Sequence, residues 1–158
     1  MRFLGAQDGK FVFRLAKPEQ QLLMAMLKLY PCIPPAHHQL TKSGKPRGDD
    51  PNQRLLDEAL FEQRQENKKL IQAFVNDSER IVETEKGFRM ILSATDLEWL
   101  LQVLNDVRVG NWVLLGSPED GAPGVDVNEK TAPHIWALEV SGHFQIRLLE
   151  ALRAGQTT

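Results

Sequence analysis

Apolar and polar residues alternate over the first fifteen positions and then switch to helical spacing. Phe11, Phe13 and Leu15 fall on one face of an extended segment. Just before them, Gln7-Asp8-Gly9 supplies the positive φ that a tight hairpin turn needs. The pattern predicts a hairpin of Arg2 to Ala6 with Lys10 to Leu15. Lys17-Pro18-Glu19 then opens a helix, with proline near its first position and an acid in its first turn. Leu22, Leu23, Met26, Leu29 and Tyr30 form its apolar stripe, and Pro31 stops it.

Residues 31–50 hold Pro31, Pro34, Pro35 and Pro46 with Gly44 and Gly48, the composition of a long loop. Helical spacing resumes near Asp50-Pro51 and runs to about Ser78. Its apolar positions are Leu55, Leu56 and Leu60, then Leu70, Ile71, Phe74 and Val75, with a polar gap from Glu62 to Lys69. One helix crossing solvent or two shorter helices meeting at a bend would both give that gap; the bend is the expectation. Phe88, Met90 and Leu92 alternate after Gly87 and suit a strand completing a three-stranded sheet with the hairpin. Ser93 and Asp96 have capping-box spacing, and a helix of about twenty residues follows, ending at Gly116. A second loop covers 117–132, and a final helix runs from near Pro133 to Gly155. The expected fold is therefore mainly α, of α+β type: one domain over 1–158, a bundle of four to five helices with a small antiparallel three-stranded sheet.

Composition narrows the class. The 158 residues are 42% apolar and 25% charged, ordinary values for a globular domain. A formal charge of −2 gives no broad attraction to phosphate backbones or anionic lipid. Cys32 is the single cysteine, so neither an intramolecular disulfide nor a cysteine-based zinc cluster can form. The opening residues lack the apolar core of a signal peptide. Leu97 to Leu115 is broken by Glu98, Gln102, Asn105, Asp106 and Arg108, a load that a membrane span does not tolerate. The expected location is the cytoplasm, with no membrane association.

Motif-based enzymology finds little. His37 and His38 sit in the proline-rich loop, and His134 and His143 are nine apart, about half a turn out of phase on one helix. Metal pairs on helices use spacings such as i,i+4, so no metal or cofactor is expected. Glu139, His143 and Arg147 form an i,i+4 ladder with Glu150 beyond. Glu139 could orient His143 as a general base, but a polar stripe opposite an apolar one is the usual look of a surface helix. Cys32 has His37 nearby, on a poor mount for a nucleophile. Ser93, Ser117 and Ser141 lack Gly-x-Ser-x-Gly context, and Gly44-Lys45-Pro46 lacks phosphate-loop spacing. Lys42, Lys45 and Arg47, offset by Asp49 and Asp50 and without aromatic interleaving, fall short of a nucleic-acid footprint. No catalytic residue is assigned.

Asp96 to Gly116 carries the most information. Wound at about 100° per residue, Leu97, Leu100, Leu101, Leu104, Val107, Leu114 and Leu115 share one face, and Arg108 and Asn111 fall among them. Val109 and Val113 fall with the polar residues, flanked by Trp99 and Trp112. Arg108 and Asn111 are thus expected as a buried polar contact. Trp99, Val109, Trp112 and Val113 are the expected partner surface, joined by a strip on the last helix (Ala137, Val140, Phe144, Leu148).

The run Leu104-Asn105-Asp106-Val107-Arg108, continuing to Leu115-Gly116, resembles the bacterial family called domain of unknown function 2017. Leu15 to Leu23 and Phe88 to Leu92 followed by Leu97-Glu98-Trp99-Leu100 are similar to the same family. Asn111-Trp112 stands where that family has small residues, and 31–50 lies outside the resemblance. The resemblance implies an uncharacterised helical protein, often encoded beside the ClpS adaptor of the Clp protease; gene neighbourhood is association only.

Three readings follow. The leading one is a non-enzymatic interaction or accessory protein, self-associating as a dimer and linked to Clp-type regulated proteolysis. The second is a small-molecule-binding domain or enzyme with a pocket near Arg108 and Asn111. The third is a nucleic-acid-associated protein using the Lys42–Arg47 loop. Two further expectations are that Arg108 is at least half-buried and that the loop from Pro31 to Asp50 is dispensable for folding.

Overall fold

Asp8 and Gly9 take φ values of 52° and 74°, the paired left-handed conformation that closes a two-residue hairpin. The turn joins β1 (Arg2–Gln7) to β2 (Lys10–Leu15) in the computed structural model, which describes residues 1–34, 51–119 and 124–157. Expectations for His37, His38, the Lys42–Arg47 segment and the remainder of that loop lie outside the described residues. The other elements are α1 (Lys17–Leu29), α2 (Pro51–Val75), β3 (Ile81–Thr84), β4 (Gly87–Ser93), α3 (Ala94–Leu114) and α4 (Ala132–Gln156).

The sheet has four antiparallel strands in the order β1-β2-β4-β3, not three. The additional strand, β3, has only two apolar residues, Ile81 and Val82, and they are adjacent, so no period-two alternation marks it in sequence. Register opposes Phe13 to Met90 and Phe11 to Leu92, putting all four on one face. That face is buried, and Phe3 adds its ring 5.4 Å from Phe13. Helices cover it, so the architecture is α+β, with helices packed on an antiparallel sheet.

The core joins this face to Leu23, Met26 and Leu27 of α1, to Leu97, Leu100, Leu104 and Val107 of α3, and to Phe144 and Leu148 of α4. Ser93 caps α3 as its spacing predicts: its hydroxyl accepts from the Asp96 amide at 3.0 Å, and Asp96 accepts the Ser93 amide at 3.1 Å. Gly116, at φ 90°, ends the helix region. α3 and α4 run antiparallel with the most extensive helix–helix packing among the described residues.

α2 is one continuous helix of 25 residues, not two shorter helices. Gln53, Leu56, Leu60, Asn67, Ile71 and Phe74 keep a single phase at about 100° per residue. The apolar run is interrupted because Arg64 and Asn67 meet polar partners there. Arg64 donates to the Ile33 carbonyl at 2.6 Å, and Asn67 donates to the Tyr30 hydroxyl at 3.0 Å. Only Gln53, Asn67 and Phe74 of α2 are buried. Phe74 anchors its end, edge-on to Trp99 at 5.7 Å. Arg80 then bridges Asp77 (3.0 Å) and Asp96 (3.3 Å), tying the end of α2 to the start of α3.

Candidate functional site

Asn111 lies on α3 with 4% of its surface exposed, and its amide is fully engaged. Nδ2 donates to the Val107 carbonyl at 2.7 Å and lies 3.8 Å from the Cys32 sulfur. Oδ1 must then accept, so His134 Nδ1, 2.9 Å away, carries the hydrogen. That fixes the His134 tautomer and leaves Nε2 as the nitrogen with a free lone pair when the ring is neutral. Spacing in sequence gave no hint of this pair, since His134 and Asn111 come from different helices.

The residues after α1 are strapped onto α3 and α2. Asp106 Oδ1 accepts the amides of Cys32 (2.6 Å) and Ile33 (3.3 Å). The Cys32 thiol donates to the Leu29 carbonyl at 3.0 Å. Close approach is possible because position 110 is glycine: a Cβ there would collide with the Cys32 carbonyl carbon and Cβ. Cys32 and Ile33 are therefore anchored, which corrects the reading of the whole 31–50 segment as free loop. Asp106 is half-buried and organises the strap.

Burial pushes the Cys32 thiol up to about 11, the Asp106 carboxylate adds to the effect, and the Asn111 contact opposes it. At neutral pH the sulfur is a protonated thiol and a poor nucleophile. Burial likewise raises the Tyr30 hydroxyl, against the bond from Asn67. Tyr30, Ile33, Arg64, Asn67, Gln102 and Asp106 border a cleft of about 150 Å³, below the roughly 300–1,000 Å³ of ordinary ligand pockets.

Of the two residues expected as a buried polar contact, Asn111 is buried and Arg108 is not. Arg108 is exposed, and its stem lies over Gly142 of α4, with Cδ 3.8 Å from where a Cβ would sit. Trp99, Val109, Trp112 and Val113 are half-buried, not free surface. Trp99 packs on Phe74, and Trp112 donates through Nε1 to the Pro118 carbonyl at 3.1 Å. Trp99 Nε1 is buried without a partner among the described residues. In the strip on the last helix, Ala137, Phe144 and Leu148 belong to the core and Val140 is half-buried. The 139–150 ladder contains one ion pair, Arg147 to Glu150 at 3.1 Å. His143 is exposed, and partial burial, followed by the amino-terminal ammonium of Met1 and by Arg147, lowers its pKa, against Glu150. It lines an apolar cleft of about 250 Å³ with Leu22, Val140 and Phe144, rimmed by Glu19 and Glu139.

Among the described residues, α2 has four exposed large apolar side chains and α4 three (Trp136, Ile146 and Leu149), neither set singled out by the sequence reading. On α2, Leu55 and Phe61 are 64% and 62% exposed, and Leu70 and Val75 are also exposed. Beside the second half of α2, Leu27 and Ile71 floor a cleft of about 390 Å³ against α1, flanked by Lys28, Lys68 and Lys69. No helix among the described residues is long and apolar enough to cross a membrane.

No protein-family model, no curated protein and no solved structure matches the chain. The resemblance to the domain of unknown function 2017 family rests on its three sequence stretches.

Proposed function

We propose that this chain is a non-enzymatic accessory protein of the cytoplasm that acts through protein–protein contact, with α2 as its docking element. One observation carries the reading: a helix of 25 residues buries only three side chains and presents Leu55 and Phe61 to solvent. Helices held only by the folding of their own domain usually bury a continuous apolar stripe, and exposed aromatic anchors are characteristic of docking surfaces. The chemistry-bearing side chains support the same reading. Cys32 is held as a thiol, and the Asn111 amide is spent on Val107, Cys32 and His134.

The resemblance to a family often encoded beside the ClpS adaptor supports a partner within Clp-type regulated proteolysis; gene neighbourhood is association only, and mass spectrometry tests it. The chain is tagged at its own locus in the native host and purified at endogenous level, as wild type and as Phe61→Glu. Proteins that co-purify with wild type and are lost with the variant are the expected result. Identical sets from both forms would remove α2 from the proposal.

A further inference from the structure

The outward side of α2 carries a repeat that its inward side does not explain. Arg54, Glu58, Phe61, Gln65, Lys68 and Gln72 are all exposed and share one helical face at spacings of four and three, a polar stripe with Phe61 as its one apolar side chain. Arg54 apart, the charges flanking Phe61 and Gln65 differ in sign. Asp57 and Glu58 lie before Phe61, and Lys68 and Lys69 lie after Gln65. Parallel pairing of two such helices would set acid against acid and lysine against lysine. Antiparallel pairing sets each acid against a lysine.

We infer that α2 pairs antiparallel with α2 of a second copy about a two-fold axis near Gln63, covering Phe61 with the Gln65 region of the other copy. The inference rests on the reading of α2 as a docking element and names the occupant of its outward face. With a rise of about 1.5 Å per residue, each Phe61 stands about 3 Å to one side of the axis level, beside Gln65 of the other copy, and the two Phe61 positions are about 6 Å apart along the helices. Asp57 and Glu58 then stand about 9 and 7.5 Å along the helix, and Lys68 and Lys69 of the other copy about 7.5 and 9 Å. Helical phase puts Asp57 on the same flank as Lys68 of the other copy, and Glu58 with Lys69. Two-fold symmetry repeats both pairs, as a self-complementary interface requires.

The cleft beside α2 points the same way. Lys28, Lys68 and Lys69 flank its apolar floor, no acid lines it, and none of the three has a carboxylate partner among the described residues. The antiparallel partner brings its Asp57 and Glu58 to this rim. Asp57 accepts a bond from Gln53 at 2.9 Å through Oδ1, which leaves Oδ2 to meet a lysine.

Sedimentation equilibrium on the full chain at low salt tests the inference across a hundredfold concentration range. Wild type is expected to dimerise, and less so as salt rises. Lys68→Glu with Lys69→Glu should raise the dimer dissociation constant at least about tenfold, as should Asp57→Lys with Glu58→Lys. All four reversals together should restore it to within about threefold of wild type, because the pairs are re-formed with opposite polarity. Circular dichroism confirms that the variants fold, which their exposed positions favour. A wild type that stays monomeric would overturn the inference, as would dimers indifferent to both charge reversals or a quadruple variant that fails to recover. Inorganic tripolyphosphate is titrated in parallel: if it shifts the Lys68 and Lys69 resonances of a wild type that never dimerises, the cleft belongs to a small anion. Loss of host proteins from Phe61→Glu alongside a monomeric wild type would overturn self-pairing while leaving α2 as a docking element.

Discussion

Arg108 and Asn111 are three positions apart on α3, yet Asn111 is buried and Arg108 is exposed. The difference is about 60° of helical phase. Leu101 and Leu115, taken as core, pull the apparent centre of the apolar face toward Arg108, whereas the buried residues include Val103 and Gly110 on the opposite flank. Arg108→Met should therefore change urea-unfolding stability by no more than about 0.5 kcal/mol at constant slope. A loss of several kcal/mol would mean that the guanidinium has an essential partner. Cys32 gives a pH prediction. Its folded pKa, about 11, lies above the 9.0 of an unperturbed thiol, so the folded state holds the proton that the unfolded chain releases first. The stabilising contribution is complete below pH 9 and is lost as pH rises toward 11. Wild type should lose more stability than Cys32→Ser between pH 8 and 11; parallel losses would refute the assignment. Neither Asn111–His134 nor Asp106–Cys32 was legible in the sequence, because each joins residues brought together only by the fold.

Among elements, those whose signals are local were read correctly. The Asp8-Gly9 turn, the Ser93–Asp96 capping box and the Gly116 stop each depend on a few adjacent residues, and each stands where the pattern placed it. β3 and the unbroken α2 depend on partners distant in sequence. The polar gap in α2 was read as a bend because its inward Asn67 meets Tyr30, 37 positions away, rather than an apolar side chain. That reading can be tested on the pair. Tyr30→Phe and Asn67→Ala each remove the same hydrogen bond, so a double-mutant cycle should show a coupling of about 0.5–1.5 kcal/mol. Additive effects would mean that the bond contributes nothing to holding α2 in place. Arg64, donating to the Ile33 carbonyl, should behave as a second link between the same elements, since the strap touches α2 through both.

At the scale of the molecule, stability and exposure are unevenly divided. The sheet face, α1, α3 and α4 share one continuous core, while α2 reaches that core through Phe74 and Ile71 near its end. Its first half, Pro51 to Glu62, buries only Gln53. Segments with few buried apolar contacts open at a lower free energy than the global transition. Native-state hydrogen exchange should therefore find the slowest amides in β2, β4, α3 and α4. The first half of α2 should exchange through a smaller opening whose free energy depends only weakly on urea. Equal protection from Pro51 to Val75, matching that of α3, would show α2 to be an integral part of the core and would weaken its reading as a docking element. Protein concentration separates two explanations for any protection that is seen. Contacts within one chain do not depend on concentration, whereas a second copy laid along Phe61 protects by mass action. Raising the concentration should slow exchange along α2, around Phe61 and Gln65, and leave β2 and α4 unchanged. If protection in α2 is the same at every concentration, nothing but its own chain covers it under those conditions, and a docking role would then require a partner of different sequence.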